Sequence, residues 1–369
     1  MPIGMRYKER IERLATRFSL MGLQAYICVD RSNIFYFTGL PCSGYLLIKQ
    51  DGSAVFYTSP LDYALAEKEA PPEIAVEKLR MGALSEVILA EVLSHVEGVV
   101  GMDQIELETF RRVSGLVGGV ELRQAPKIVW DMRSSKDEQE VTVIKEACSI
   151  ADKAMKSAAD LLTPGIMESE IKAELMAEIY RRVGDEAAFP PIVASGERSA
   201  LPHGPLLRGS ARDRVIKRGD LVVIDLGVKV EGYCSDITRT FFIGKDPEQS
   251  VKEAIEAVLY SKNRAQSMMR PGVSCSYVDE VARETLSSSG LDSYFTHSLG
   301  HGLGIDIHEP PRIGPGSQDQ FAEGNVVTCE PGVYISGKWG IRFEDTLLIT
   351  EDSVVPLTSY PLDEYLVWP

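Results

Sequence analysis

Two stretches near the C-terminal end of the chain repeat one another and carry acidic residues at matching places. VVIDLGVKVEGYCSDITRTF holds Asp225 and Asp236, and VVTCEPGVYISGKWGIRFEDTLLI holds Glu330 and Glu344. Each consists of two strand-like runs joined by a glycine-containing turn, which can bring its two carboxylates together across a hairpin. Laying Gly219 on Gly324 puts Asp225 on Glu330 and Gly227 on Gly332; with three extra residues in the second turn, Asp236-Ile-Thr matches Glu344-Asp-Thr. The preceding segments repeat as well. A helix runs into Pro164-Gly165 and is followed by another with Ile171, Leu175, Ile179 and Val183 on one face. The same order recurs at Pro271-Gly272, before a helix carrying Val278, Val281, Ala282 and Leu286. The simplest structure with this symmetry is a pseudo-twofold α+β domain, helices covering one curved antiparallel sheet with the four carboxylates at its centre.

A single Asp or Glu near a turn is ordinarily solvated or caps a backbone group. Four of them at equivalent strand positions, each embedded in Val/Ile/Leu-rich sequence, cost too much to bury unpaired, so cations must neutralise them. His301, in SLGHGLG, adds one imidazole, and its flanking glycines let backbone approach an ion closely. An oxygen-rich set with a single imidazole favours Mn, Co, Fe or Zn over a thiolate-type site, and the spacing suits two divalent metal ions per subunit. Asp236 and Glu344 are expected to bridge the two ions, Asp225 to complete one, and His301 with Glu330 the other.

Hydrolysis at such a site needs a water of lowered pKa, a base for its proton and donors for the oxyanion. Glu330 is the expected proton shuttle. Four of the chain's five histidines fall in the C-terminal motifs: His203 in SGERSALPHG, and His297, His301 and His308 in THSLGHGLGIDIHEPPR. His203, His297 and His308 are candidates to hydrogen-bond the scissile carbonyl or orient substrate. His95, in a helical stretch, is assigned a structural hydrogen-bonding role. Arg342, two residues before Glu344, is expected to orient ligands or substrate from behind.

At 369 residues the chain is expected to form two domains. The first part alternates the strand candidates AYICV, GYLLIKQ, SAVFYTS and VEGVVGMD with helical stretches, an α/β pattern, and Asp51-Gly52 reads as a tight hairpin turn. The polar segment DMRSSK precedes a long helix with Val141, Ile144, Cys148, Ala151, Met155 and Leu162 at apolar positions. The boundary is placed there, giving domains 1–131 and 136–369. A formal charge of −15 argues against nucleic acid or an anionic membrane as the main partner. No apolar run is long enough to span a bilayer, so a soluble cytoplasmic protein is expected. The six cysteines form no CxxC pair, which suits a reducing compartment. Cys234 and Cys329 neighbour proposed ligands in sequence and are read as strand packing residues.

The ordered set of DLG, SDITRT, GHGLG, CEPGVY and RFED resembles the pita-bread metallopeptidase family that includes methionine aminopeptidase, aminopeptidase P and prolidase. SALPHG, the spacing of His297, His301 and His308, and the N-terminal NIFYFTG resemble its proline-specific branch, which cleaves the bond between an N-terminal residue and proline. The resemblance implies a pita-bread catalytic domain, a creatinase/prolidase-like N-terminal domain, and a proline-containing peptide as substrate. It also implies a homodimer in which one subunit's N-terminal domain can help close the other's active site. One departure is the stretch GPLLRGSARDRVIKRGDLVVI after His203, a few residues longer than expected, which bears on the substrate entrance.

Arg312, in HEPPRI, stands where archaeal-type prolidases carry an arginine and is a natural bidentate partner for the free carboxylate of a dipeptide, although a lone arginine in a Pro-rich loop can equally be a surface residue. The favoured activity is that of an Xaa-Pro dipeptidase, with aminopeptidase P as the alternative. A pita-bread enzyme acting on a non-peptide C–N bond, as creatinase does, or a non-catalytic binding module would not need all five ligands.

Overall fold

The computed structural model describes residues 6–80, 82, 84–183, 186–204 and 213–367, and the chain divides into two compact units, Met1–Arg133 and Ser134–Pro369. In the first, six strands form one mixed sheet in the order β4-β3-β2-β1-β5-β6. The strands are β1 (Ala25–Cys28), β2 (Gly44–Lys49), β3 (Ala54–Thr58), β4 (Ile74–Lys78), β5 (Gly98–Met102) and β6 (Val120–Gln124). Helices α1 (Tyr7–Met21), α2 (Arg31–Thr38), α3 (Tyr63–Glu69), α4 (Ser85–Leu93), α5 (Leu107–Leu116) and α6 (Lys127–Ser134) accompany it. The AYIC run is buried throughout because β1 has partners on both sides. Asp51-Gly52 makes the expected turn: Gly52 sits at φ 82° and the Asp51 carboxylate accepts from the Ser53 amide and hydroxyl. The strands β4 and β6 have no counterpart among the sequence-derived candidates. Both lie at sheet edges, where IAVEK and VELRQ bury too few side chains to leave a strong apolar alternation.

Two further readings change. DMRSSK is not simply a polar linker: its first four residues end α6, with Met132 and Arg133 buried and Arg133 Nη1 donating to Asn33 Oδ1 at 2.7 Å. His95 follows α4 and is exposed, its ring stacked near Tyr57 at a centroid distance of 6.4 Å. Its side chain packs on an aromatic ring, where a structural hydrogen bond was expected.

The second unit contains the repeat. Its first half holds α7 (Glu138–Leu161), α8 (Glu168–Val183), β7 (Ile192–Ser195), β8 (Leu221–Leu226), β9 (Lys229–Val230), β10 (Tyr233–Cys234) and β11 (Ile237–Ile243). The second half holds α9 (Gln249–Met268), α10 (Cys275–Ser287), β12 (Gly300–Gly302), β13 (Glu309–Ile313), β14 (Val326–Cys329), β15 (Gly332–Ile335), β16 (Trp339–Arg342) and β17 (Asp345–Ile349), followed by β18 (Val354–Pro356) and β19 (Leu366–Val367). A capping box between Asp137 and Glu140 starts α7. Each helix pair covers its own half-sheet. Ala151, Met155, Ile171, Leu175 and Ile179 pack with Val222 and Ile224, while Val258, Val278, Ala282 and Leu286 pack with Val327 and Leu347.

The strand orders are β19-β11-β8-β7 and β13-β12-β14-β17-β18, so the expected single sheet is realised as two half-sheets, antiparallel throughout except where β19 runs parallel to β11. The three extra residues of the second repeat lengthen its inner hairpin: two residue pairs join β9 to β10 and four join β15 to β16. The halves meet at the ends of β11 and β17, through matching contacts. The Glu344 amide donates to the Thr238 carbonyl at 3.0 Å, and the Asp236 amide donates to Thr346 Oγ1 at 3.2 Å. Thr238 and Thr346 are equivalent in the repeat, so each threonine braces the acidic residue of the opposite half. Among the described residues no helix is long and apolar enough to cross a membrane.

Beside this junction Asp345 is buried and accepts from Arg239 Nη2 at 2.7 Å and from Lys262 Nζ at 2.5 Å. Asp345→Asn would leave two buried cations without their counter-charge and should lower the unfolding free energy by about 3 kcal/mol or more. Urea unfolding of the two proteins side by side measures this, and a loss below about 1 kcal/mol would show that the trio is not a buried ionic anchor.

Candidate metal centre

The repeat delivers four carboxylates to one cleft of about 710 Å³. Asp225 lies near the end of β8, Asp236 just before β11, Glu330 just after β14 and Glu344 between β16 and β17, while β12 carries His301. All five line the cleft, together with His203, His297, His308, Arg312 and Arg342. Asp236, His301 and Glu344 each offer a ligand atom within 4.8 Å of the others. His301 Nε2 stands 3.4 Å from Glu330 Oε1 and 3.8 Å from Asp236 Oδ2.

These groups perturb one another as a buried acidic cluster should. Burial and then repulsion from Glu344 push the carboxyls of Asp236 and Glu330 well above the usual range. Burial and then the Asp225 charge raise Glu344 to about 8, and burial also raises Asp225 against the pull of Arg342. His301 is driven down to about 4, first by burial and then by His308. Its Nδ1 lies 3.0 Å from the Gly302 carbonyl. A proton on Nδ1 donates there and leaves the Nε2 lone pair facing the carboxylates, the form in which imidazole ligates a metal. Asp225 Oδ1, Asp236 Oδ1 and Glu344 Oε1 are buried with no hydrogen-bond partner among the described residues. Unpartnered buried acceptors beside a neutral imidazole fit divalent cations, each of which can satisfy several such oxygens at once.

Around the acids runs a chain of polar contacts. Arg342 Nη2 donates to Asp225 Oδ2 at 2.5 Å, Nη1 to the Tyr334 hydroxyl at 2.8 Å and the Pro202 carbonyl at 3.0 Å, and Nε to Thr238 Oγ1 at 3.1 Å. Thr238 Oγ1 in turn donates to Glu344 Oε2 at 2.6 Å. The Tyr334 hydroxyl lies 2.9 Å from His297 Nε2, and His297 Nδ1 lies 2.8 Å from the Ser298 carbonyl. With Nδ1 donating to that carbonyl, Nε2 accepts from Tyr334, so both ring nitrogens of His297 are engaged within the protein. Tyr334 is absent from the sequence-derived set, since a tyrosine in GVYI reads like any packing aromatic. Thr238 is absent too, although its match to Thr346 in the repeat was an available signal.

The rim is more open. His203 is exposed, and so is His308, whose ring centroid lies 4.4 Å from that of His301. EPPRI, after His308, forms the strand β13 rather than a loop. Arg312 pairs directly with His301 across β12 and β13, which puts both side chains on one face of the sheet. The Arg312 guanidinium is exposed and donates to the Pro315 carbonyl at 3.2 Å. Residues 205–212, within the stretch expected to be longer, lie outside the described residues. Cys234 and Cys329 are buried in β10 and β14, their thiols raised to about 12 by burial, as packing residues should be.

Comparison with known proteins shows the family of the chain. Residues 142–351 match the family model described as metallopeptidase family M24, and residues 10–135 match the creatinase/prolidase N-terminal domain. The chain is 36% identical over 353 residues to an Xaa-Pro dipeptidase of Pyrococcus furiosus, covering 95% of this chain and 98% of the relative. The crystal structure of the prolidase from Pyrococcus horikoshii superposes with a TM-score of 0.86 at 34% identity, covering 96% of this chain and 99% of that one. An X-Pro aminopeptidase from Thermotoga maritima superposes with a TM-score of 0.82 at 33% identity, with the same shares of 96% and 99%.

Burial, followed by the Arg342 charge, drives the His297 imidazole from 6.5 down to about 3. The folded state therefore keeps it neutral while the unfolded state takes up a proton below about pH 6.5. The stability this residue contributes is present above that pH and is lost as pH falls toward 3, by up to about 1.4 kcal/mol per pH unit. Unfolding free energies measured at pH 6.5 and 5 should therefore diverge less in His297→Gln than in the unsubstituted protein, and equal slopes would contradict the buried neutral ring.

Proposed function

This chain belongs to metallopeptidase family M24, and we propose that it hydrolyses the peptide bond between an N-terminal residue and proline, above all in Xaa-Pro dipeptides. The observation that carries the dipeptide reading is the register of β12 and β13, which sets the cation of Arg312 on the same face as His301 at the rim of the cleft. A guanidinium there can take the free carboxylate of a C-terminal proline in a bidentate pair. Xaa-Pro dipeptidases among the relatives support the same choice.

In this reading Asp225, Asp236, His301, Glu330 and Glu344 would hold two divalent ions, Mn, Co, Fe or Zn. Ions bound there would supply Lewis acidity, polarising the scissile carbonyl and making water more acidic. Glu330, whose carboxylate faces the cleft 3.4 Å from His301 Nε2, is the residue assigned to take the proton of the attacking water and return it to the proline nitrogen as the C–N bond breaks. His203 and His308 present exposed rings at the rim and donate to the scissile carbonyl. His297 is held by Tyr334 and acts from behind, steadying the arm of contacts that runs through Arg342 to Asp225. Resemblance to the family's proline-specific branch supports a homodimer, and six cysteines without a CxxC pair support a reducing, cytoplasmic setting.

A second reading, aminopeptidase P activity on longer Xaa-Pro peptides, is favoured by the structural similarity to the Thermotoga enzyme, almost as close as that to the prolidase. Incubating metal-stripped protein with Met-Pro, Met-Pro-Ala and Met-Ala-Ala, with and without Mn²⁺ or Co²⁺, separates the two. Metal-dependent release of methionine from Met-Pro alone is the expected result. Cleavage of Met-Pro-Ala would move the assignment to aminopeptidase P, and silence with every metal would remove the peptidase reading. Arg312→Ala should raise KM for Met-Pro by about tenfold to a hundredfold with far less effect on Met-Pro-Ala. Equal effects would take Arg312 out of carboxylate binding.

A further inference from the structure

In the wall of the cleft, of which Glu309 is a lining residue, lies a buried ion pair that has no place in the reaction as described. Lys136 Nζ and Glu309 Oε2 are 3.2 Å apart, and each side chain is only 1% exposed. Such a pair carries a desolvation penalty and is weak evidence for stability by itself. Its position suggests another use. His308 ends the turn that leads from β12, which bears His301, and Glu309 directly after it opens β13. The second carboxylate oxygen of Glu309 accepts from the Asp306 amide at 3.0 Å, tying the turn to itself. Gly304 makes room for this: a Cβ there would lie 2.8 Å from Glu309 Oε2 and 3.0 Å from Lys136 Cε.

Lys136 is fixed in its turn. It stands at the entrance to α7, where its amide donates to the Gly324 carbonyl at 2.8 Å and Nζ also reaches the Ser134 carbonyl at 3.4 Å. The turn is held from the other side by the Cys234 amide, which donates to the Gly304 carbonyl at 2.7 Å. The outcome is that His308, although exposed, rides on a backbone clamped from below, with its ring edge-on to His301 at 4.4 Å.

We propose that Lys136 and Glu309 are positioning residues: their buried pair fixes the turn Gly304–His308 and thereby aims the His308 imidazole at the reacting carbonyl. This rests on the role given to His308 in the proposed reaction. Displacing a substrate-facing group by about 1 Å can cost on the order of a hundredfold in rate. Glu309→Gln keeps the shape of the side chain and its acceptor for Asp306 but removes the counter-charge of Lys136.

Two measurements test it together. In the first, Zn²⁺-loaded protein labelled with ¹⁵N-histidine is compared with its Glu309→Gln variant; with five histidines in the chain, the His308 signal is assigned by its loss in His308→Ala. The His308 resonance is expected to shift by more than its linewidth while that of His95 stays, and an unmoved His308 resonance would overturn the proposal. In the second, Glu309→Gln is expected to lower kcat/KM on Met-Pro by about tenfold to a hundredfold in the natural sequence, but by less than about twofold in the His308→Ala background. Equal losses in both backgrounds would mean a general structural role and would also overturn it. Should the natural sequence fail to cleave Xaa-Pro bonds, that failure belongs to the proposed reaction, and the resonance alone decides the positioning role. If Glu309→Gln does not fold, Lys136→Met/Glu309→Gln, which leaves no unpaired buried charge, takes its place with the same expectations.

Discussion

Four carboxylates facing one another out of water are the constraint on which the catalytic unit depends. At a few ångströms in a medium of low dielectric, like charges repel strongly and each also loses its hydration. The folded chain has two ways to tolerate them: keep protons on them, which is what the upward shifts of the Asp236, Glu330 and Glu344 carboxyls express, or offer their oxygen lone pairs to cations as ligands. Arg342 offsets only part of the charge, through Asp225. The remaining oxygens without protein partners define what the site accepts, and the family to which the chain belongs uses metal for peptide hydrolysis.

The repeat explains how such an unfavourable cluster is built. Each half contributes two acids from the same two positions of a hairpin, covered by its own pair of helices and its own apolar core. Neither half alone would set four carboxylates together. Joining them at Thr238 and Thr346, each bracing an acid of the opposite half, places the charges between two cores that are separately well packed. On the far side of the junction Asp345, Arg239 and Lys262 form a second buried ionic group, so the strands that carry the acids are fixed on both faces.

Much of this was legible in the chain because repetition and chemistry coincide. The alignment of Asp225 with Glu330 and of Asp236 with Glu344 needs no structure, and the embedding of each in apolar strand sequence predicts burial. The glycines beside His301 have a packing use as well: a Cβ on Gly300 would meet the Thr328 carbonyl of the neighbouring β14 at 2.2 Å. What could not be read depends on side chains meeting across distant segments. Tyr334 links His297 to Arg342, and Lys136 reaches Glu309, through pairings set by the fold and marked by no local pattern. For Arg312 the sequence left a carboxylate partner and a surface residue of a Pro-rich loop equally open, and its place opposite His301 came only with the pairing of β13 with β12. The edge strands β4 and β6 were hidden for a simpler reason: one paired side and little burial leave weak periodicity.

Calorimetric titration of metal-stripped protein with Mn²⁺ at pH 7, in two buffers of different ionisation enthalpy, tests the central claim most directly. With Glu344 held near 8, a carboxyl that is largely protonated at this pH must lose its proton when a cation takes its place. The account predicts binding that releases about one proton or more per chain and is abolished or greatly weakened in Asp236→Asn and Glu344→Gln. Binding with no proton release, or binding unaffected by those substitutions, would mean that the buried acids are not where the metal goes.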